Sequence, residues 1–137
     1  MSTLVCFHAH PDDEAIATAG LMMGAFDAGH RVVLVVATRG EGGLVPDDLA
    51  AGESLADRRT EEQEHAAAML GVHRLEWLEY GDSGMAGDAA NDDPDCFWQA
   101  DVDDAADRLA TLLKDEDIDV LTIYDDHGGY DHPDHIA

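Results

Sequence analysis

Basic residues are scarce in this 137-residue chain: seven Lys and Arg stand against 31 Asp and Glu, and Lys114 is the single lysine. A formal net charge of -24 repels polyanions, which argues against nucleic acid and anionic membranes as partners. Cysteine is almost missing. Cys6 and Cys96 lie far apart, make no disulfide framework and point to a reduced, cytoplasmic setting. No apolar run comes near the roughly 20 residues that cross a bilayer. The N-terminus shows neither a basic leader nor a small-residue cleavage site, so no signal peptide is read there. Low-complexity linkers and fixed-period repeats are missing too.

What is present is a hydrophobic content of 45%, enough for one globular domain over residues 1–137. Strand and helix patterns alternate. "TLVCFHA", from Thr3, suits a buried parallel strand, and "RVVLVVAT", from Arg31, is β-branched and almost wholly apolar. "RLEWLEY" and "DVLTIYD" read as the third and fourth strands. Helices are expected over 14–28, closed by Gly29, over 54–70 with Ser54 as cap and Gly71 as stop, and over 97–114. The expected fold is α/β: a three-layer, Rossmann-like parallel sheet flanked by helices, with right-handed crossovers. No helix follows the fourth strand, so the fold is expected to be truncated there.

In such sheets, ligands sit outside the carboxyl ends of the strands. Two His-Pro-Asp triplets fall at those ends: "HAHPDDE", His8–Glu14, after the first strand, and "HPDH", His132–His135, after the fourth. Pro11 suits a first helical position, which puts Asp12, Asp13 and Glu14 in a first turn, where negative charge favours the dipole. His10 and Asp13, three apart, converge across that turn, and Pro133 does the same for His132 and His135. Helix capping would explain the acids but needs neither His132 nor His135. Two such turns side by side supply His, carboxylate and His to one ion, the pattern of catalytic zinc; Fe(II) suits the same ligands. His8 is not favoured as a ligand, and His30, His65 and His73 are expected at the surface or at helix ends. "RGEGG", Arg39–Gly43, fits neither phosphate-loop pattern. Trp77, Phe97, Trp98 and Cys6 are expected in the core.

"AHPDDE" together with "HPDH" resembles the LmbE-like, or PIG-L, metal-dependent de-N-acetylases. "RTEEQEHAAAMLGV", Arg59–Val72, "DSGM", Asp82–Met85, and "GGYDHPDH", Gly128–His135, strengthen the likeness. The last resembles the mycothiol-pathway branch, with its deacetylase and its S-conjugate amidase. The resemblance implies that His10, Asp13 and His135 hold Zn2+, or Fe2+. It implies Asp12 as general base on a water activated by the metal, and Tyr130 and His132 as donors to the oxyanion. The general acid is then Asp12 or His132. Asp134 either supports His132 or a ligand imidazole as an outer carboxylate, or is a first-turn helix acid. Arg59 and Asp82 are implied as contacts to a sugar or inositol hydroxyl, with an Arg59–Glu62 ion pair as the plain alternative for the arginine. The expected activity is removal of acetyl from an N-acetylglucosamine-type substrate, a small N-acetylated amino sugar or conjugate. The rivals are an amidase for a larger amide such as a thiol S-conjugate, a non-catalytic metal- or sugar-binding module and, more weakly, a nucleotide-binding module. Nothing in the sequence fixes the oligomeric state.

Overall fold

The computed structural model describes residues 1–137. Four parallel strands, β1 (Thr3–His8), β2 (Arg31–Thr38), β3 (Arg74–Tyr80) and β4 (Val120–Thr122), lie in the order β3-β2-β1-β4. Strand β2 is buried from Val32 to Thr38, and its alternating side chains build two cores. Val33, Val35 and Ala37 meet Val5, Leu78, Phe97 and Leu113 on one face. Val32, Leu34 and Val36 meet Leu4, Cys6 and Met22 on the other. Helix α4 (Val102–Leu112) covers the first face through Ala105 and Leu109, and α2 (Ala19–Asp27) covers the second through Met22 and Ala25. Burial on both faces is why β2 reads as a continuous apolar run. Helix α3 (Leu55–Met69) opens on the expected Ser54 cap, with Asp57 reaching back to the Ser54 N–H.

Several boundaries move. The helix expected over 14–28 is two helices, α1 (Asp13–Ala17) and α2, broken at Thr18, whose φ is -129°. The Thr18 hydroxyl is committed to His8 Nε2 at 2.8 Å, a long-range demand that local periodicity does not reveal. The helix expected from residue 97 starts at Val102, because Asp101 accepts from the N–H groups of Asp103 and Asp104. Strand β4 is three residues long and half exposed, since it has a neighbour on one side only. Phe97 and Cys6 are core residues as expected, whereas Trp98 is 42% exposed. Trp77 is partly buried and lies 4.0 Å beneath the Arg39 guanidinium.

Candidate active site

The carboxyl end of β1 turns through His10, Pro11 and Asp12 into α1. Pro11 is not the first helical residue as expected. Asp12 sits at φ 104°, in the left-handed region, and α1 starts at Asp13. Glu14 accepts the Asp12 N–H at 3.1 Å, and Asp13 accepts the His10 N–H at 2.8 Å. The second triplet behaves as expected. Pro133 opens the short helix α5 (Pro133–Ile136), with His132 as its cap.

The two turns meet. His10 Nδ1 lies 3.5 Å from Asp13 Oδ2, His135 Nε2 lies 3.2 Å from the same oxygen, and the two imidazole nitrogens are 3.3 Å apart. A tetrahedral ion with bonds near 2.0–2.1 Å sets its donors about 3.3 Å apart, so this triangle fits one divalent cation. The ring tautomers agree. His135 Nδ1 faces the Gly128 carbonyl at 3.0 Å, and His10 Nε2 faces the Asp134 carboxylate at 3.0 Å. Both partners only accept, so each imidazole keeps a proton on its outer nitrogen, and the neutral ring would turn a lone pair into the triangle. Gly128 allows this approach: its φ is +61°, and a Cβ there would lie 2.4 Å from that of His135.

The electrostatics favour a cation. Burial opposes charge on His10, yet Asp13, Asp134 and Asp82 push its pKa up to about 11. Burial likewise opposes charge on Asp13, but hydrogen bonds with His10 and His135 hold its carboxyl well below the usual range. In the metal-free chain, a proton on His10 answers the surrounding carboxylates.

In front of the triangle opens a cavity of about 220 Å³, lined among others by Asp12, Arg59, Asp82, Tyr130 and His132. Asp12 is two-thirds exposed there. Partial burial raises its carboxyl against the pull of Arg59, and the charge of Asp13 adds to the rise. Arg59 donates to Asp12 Oδ2 at 2.8 Å, to the Gly40 carbonyl at 2.8 Å and to the Pro11 carbonyl, so its partner is Asp12 rather than Glu62. Asp82 accepts from the N–H groups of Gly84 (2.8 Å) and Gly42 (3.1 Å) and lies 3.7 Å from His10 Nε2. The Asp134 carboxylate supports His10, while its backbone N–H donates to His132 Nδ1 at 3.1 Å. That bond leaves the neutral His132 ring with its proton on Nε2. Burial, then the charge of His10, lowers its pKa and favours this form. His132 also offers a nitrogen within 4.8 Å of those of His10 and His135. Tyr130 is exposed and edges toward both His132 and His135.

His8 stays out of the triangle, bound to Tyr124 and Thr18. Sequence reasoning missed Ser83, which donates to Asp134 from both its N–H (3.0 Å) and its hydroxyl. It also missed Tyr124, whose hydroxyl meets Asp13 at 2.9 Å. The only signal for Tyr124 was its place at the exit of the fourth strand; Ser83 sat inside a quoted motif with no role attached.

Fold and site together define an α/β protein with a His-Asp-His centre suited to a divalent cation. The chain belongs to the PIG-L family, whose description is GlcNAc-PI de-N-acetylase and whose match covers residues 5–137. It is 46% identical, over 97% of its length, to the 1D-myo-inositol 2-acetamido-2-deoxy-alpha-D-glucopyranoside deacetylase of Thermobifida fusca, covering 50% of that protein. Among solved structures it resembles the N,N'-diacetylchitobiose deacetylase of Pyrococcus horikoshii, with a TM-score of 0.77 and 29% identity over 98% of this chain and 45% of that one. The 4-carboxy-2-hydroxymuconate hydratase of Pseudomonas putida KT2440 shares the fold, with a TM-score of 0.74 at 24% identity over 99% of this chain and 52% of that one. The chain spans about half the length of these relatives.

Proposed function

We propose that this chain is one catalytic domain, residues 1–137, of a cytoplasmic zinc-dependent hydrolase that removes acetyl from an N-acetylglucosamine-type substrate. The observation that carries the reading is the triangle of His10 Nδ1, Asp13 Oδ2 and His135 Nε2, with Asp12 beside it at the cavity. The donor set also accommodates Fe2+. Held by His10, Asp13 and His135, a dication would supply Lewis acidity toward an amide carbonyl and would lower the pKa of water toward neutrality.

The side chains divide the remaining work. Asp12, raised and exposed to the cavity, takes the proton of the attacking water. The water oxygen joins the acyl carbon, and His132 Nε2–H and the Tyr130 hydroxyl donate to the oxygen that gains charge. The carbon–nitrogen bond then breaks. The leaving nitrogen takes back the proton that Asp12 acquired from the water, giving acetate and a free amine. His132, neutral with its one proton on Nε2, donates a hydrogen bond but has no proton to give up, which leaves Asp12 as the acid of the two expected candidates. Asp82 and Arg59 stand at the cavity wall, where a sugar hydroxyl would meet a carboxylate and a guanidinium. Asp134 holds the His10 ring from behind. The named activities of the Thermobifida and Pyrococcus relatives support the substrate class.

Metal analysis of protein purified without added metal, followed by acetate release from N-acetylglucosaminyl-inositol and from free N-acetylglucosamine, tests this. We expect one tightly held divalent ion per chain and acetate from at least one sugar. A bulky S-conjugate amide in the same panel reads the amidase alternative by its released amine. A chain that holds its metal but frees neither acetate nor amine sinks the hydrolase reading and leaves a binding module.

A further inference from the structure

Tyr124 does not line the cavity, yet it touches two of the three residues assigned to the metal. Its hydroxyl lies 2.9 Å from Asp13 Oδ2. Its ring stacks on that of His135, with centroids 4.2 Å apart and planes 14° from parallel. The same hydroxyl lies 2.9 Å from His8 Nδ1 and 3.4 Å from the Ala9 nitrogen.

The direction of each bond follows from chemistry. A carboxylate only accepts, so the single hydroxyl proton of Tyr124 goes to Asp13. The tyrosine oxygen must then accept from His8, which puts the His8 proton on Nδ1. His8 Nε2 is left as an acceptor for the Thr18 hydroxyl at 2.8 Å. Thr18 is the residue at which the first helix breaks. One directed chain therefore runs from the α1–α2 break, through His8 and Tyr124, to the metal-facing oxygen of Asp13. Its far end is anchored in the fold: His8 is the last residue of β1 and is 2% exposed.

We propose that Tyr124, held by His8 and Thr18, is a positioning residue that fixes Asp13 and His135 for the metal and so sets the cation affinity of the site. This rests on the reading of His10, Asp13 and His135 as a metal centre. Asp13 can rotate about its side-chain bonds. The His10 N–H and the Tyr124 hydroxyl both donate to Oδ2, and Tyr124 is the side-chain donor of the two, adding a second fixed point that keeps Oδ2 aimed between the imidazoles. Stacking does the same for the plane of His135. Partners of this kind, one bond removed from the ion, are commonly worth about 10–100-fold in metal affinity.

The test is equilibrium Zn2+ affinity of the full 137-residue chain, measured by competition with a chromogenic chelator, alongside the visible spectrum of the Co2+-loaded protein and the melting temperature of the metal-free form. Tyr124→Phe keeps the stack and loses the donor. We expect zinc affinity to fall about 10–100-fold and the cobalt bands to shift. Tyr124→Leu loses both contacts and should bind more weakly still. Thr18→Val cuts the far end of the chain without touching Tyr124, and should weaken zinc less than Tyr124→Phe while moving the cobalt bands in the same sense. A purely structural tyrosine would lower the metal-free melting temperature and leave affinity and spectrum unmoved, which overturns the proposal. Should Tyr124→Phe fail to fold, an unaltered affinity and spectrum in Thr18→Val overturns it as well. If the unsubstituted chain binds no zinc, the metal-centre reading itself fails and this inference with it. Wild-type binding with a zinc affinity unchanged in Tyr124→Phe removes the tyrosine's role alone.

Discussion

The two rims of the sheet handle charge in opposite ways. At the amino rim, Arg31 opens β2, Arg74 opens β3 and Glu116 precedes β4. Glu116 meets Arg31 Nε at 2.6 Å and Arg74 Nη1 at 3.0 Å, and Arg74 meets Glu76 at 2.8 Å. Two guanidinium groups face two carboxylates, and the cluster neutralises itself. At the carboxyl rim Arg39 and Glu79 pair off at the ends of β2 and β3, but beside them Asp12, Asp13, Asp82 and Asp134 gather around imidazoles with only Arg59 among them as a guanidinium. That cluster carries more carboxylate than guanidinium charge, an excess that a proton on His10 or a bound cation would reduce. The comparison separates charges that close on one another from an acidic cluster left in excess around the imidazoles.

The sharpest break of this contrast removes a residue of the triangle. Asp13→Ala or His135→Ala should weaken zinc binding by more than the roughly 100-fold upper figure for an outer partner, as read by the same chelator competition. Asp12→Ala comes next. Asp12 has no place in the triangle, so metal content should stay at the wild-type level while acetate release drops at least about a hundredfold, the scale of a lost general base. Unchanged turnover in that variant would remove Asp12 from the mechanism.

The pH dependence is the next lever. His10 is pushed up to about 11 by Asp13, Asp134 and Asp82 against the cost of burial, whereas an unfolded histidine titrates near 6.5. The folded metal-free chain therefore binds one more proton than the unfolded chain between those values. The stability that His10 contributes is fully present below about pH 6.5 and is lost as pH rises toward about 11. A dication bound in the triangle would replace that proton. Zinc binding near pH 8 should release about one proton from His10, measurable by calorimetry in buffers of different ionisation heat. The metal-free melting temperature should decline from pH 7 to pH 9.5, and added zinc should flatten that decline. A metal-free chain equally stable at both pH values would remove His10 as the proton holder.

Much of the architecture and of the triangle was legible because its signals are local. The apolar, β-branched run from Arg31 to Thr38 can bury both faces only inside a parallel sheet. The two His-Pro-Asp turns each carry their triangle residues within four positions, and chain topology alone brings the turns together. What stayed hidden depends on distant partners. Nothing near Thr18 announces that its hydroxyl belongs to His8, so the stretch after Asp13 reads as one helix. The left-handed Asp12 follows from Glu14 and Arg59 gripping the turn, which no propensity encodes. Tyr124 meets Asp13 across 111 positions of sequence. The Arg59–Glu62 pairing favoured by helical spacing loses to Asp12, because three acceptors at the turn and the neighbouring loop outbid one on the helix surface.

The smallest expected effect lies at the amino rim and tests the other half of the comparison. Glu116 is well buried by its own arginines: its side chain is 6% exposed, with Arg31 and Arg74 at 33% and 27%. The two guanidinium groups hold its carboxyl well below the usual range, Arg31 the more strongly. Glu116→Gln keeps the shape and some of the hydrogen bonds but leaves the arginines short of a charge. Exposed ion pairs are worth about 0–1 kcal/mol, and the partial exposure of both arginines limits the loss to about 1 kcal/mol, measurable by urea unfolding. Because this cluster closes on itself at the opposite end of β1, zinc affinity and the pH profile of acetate release should not move. A Glu116→Gln chain with altered zinc binding would mean that the two rims are coupled through the sheet, and that the division between a self-neutralised rim and a cation-seeking one is wrong.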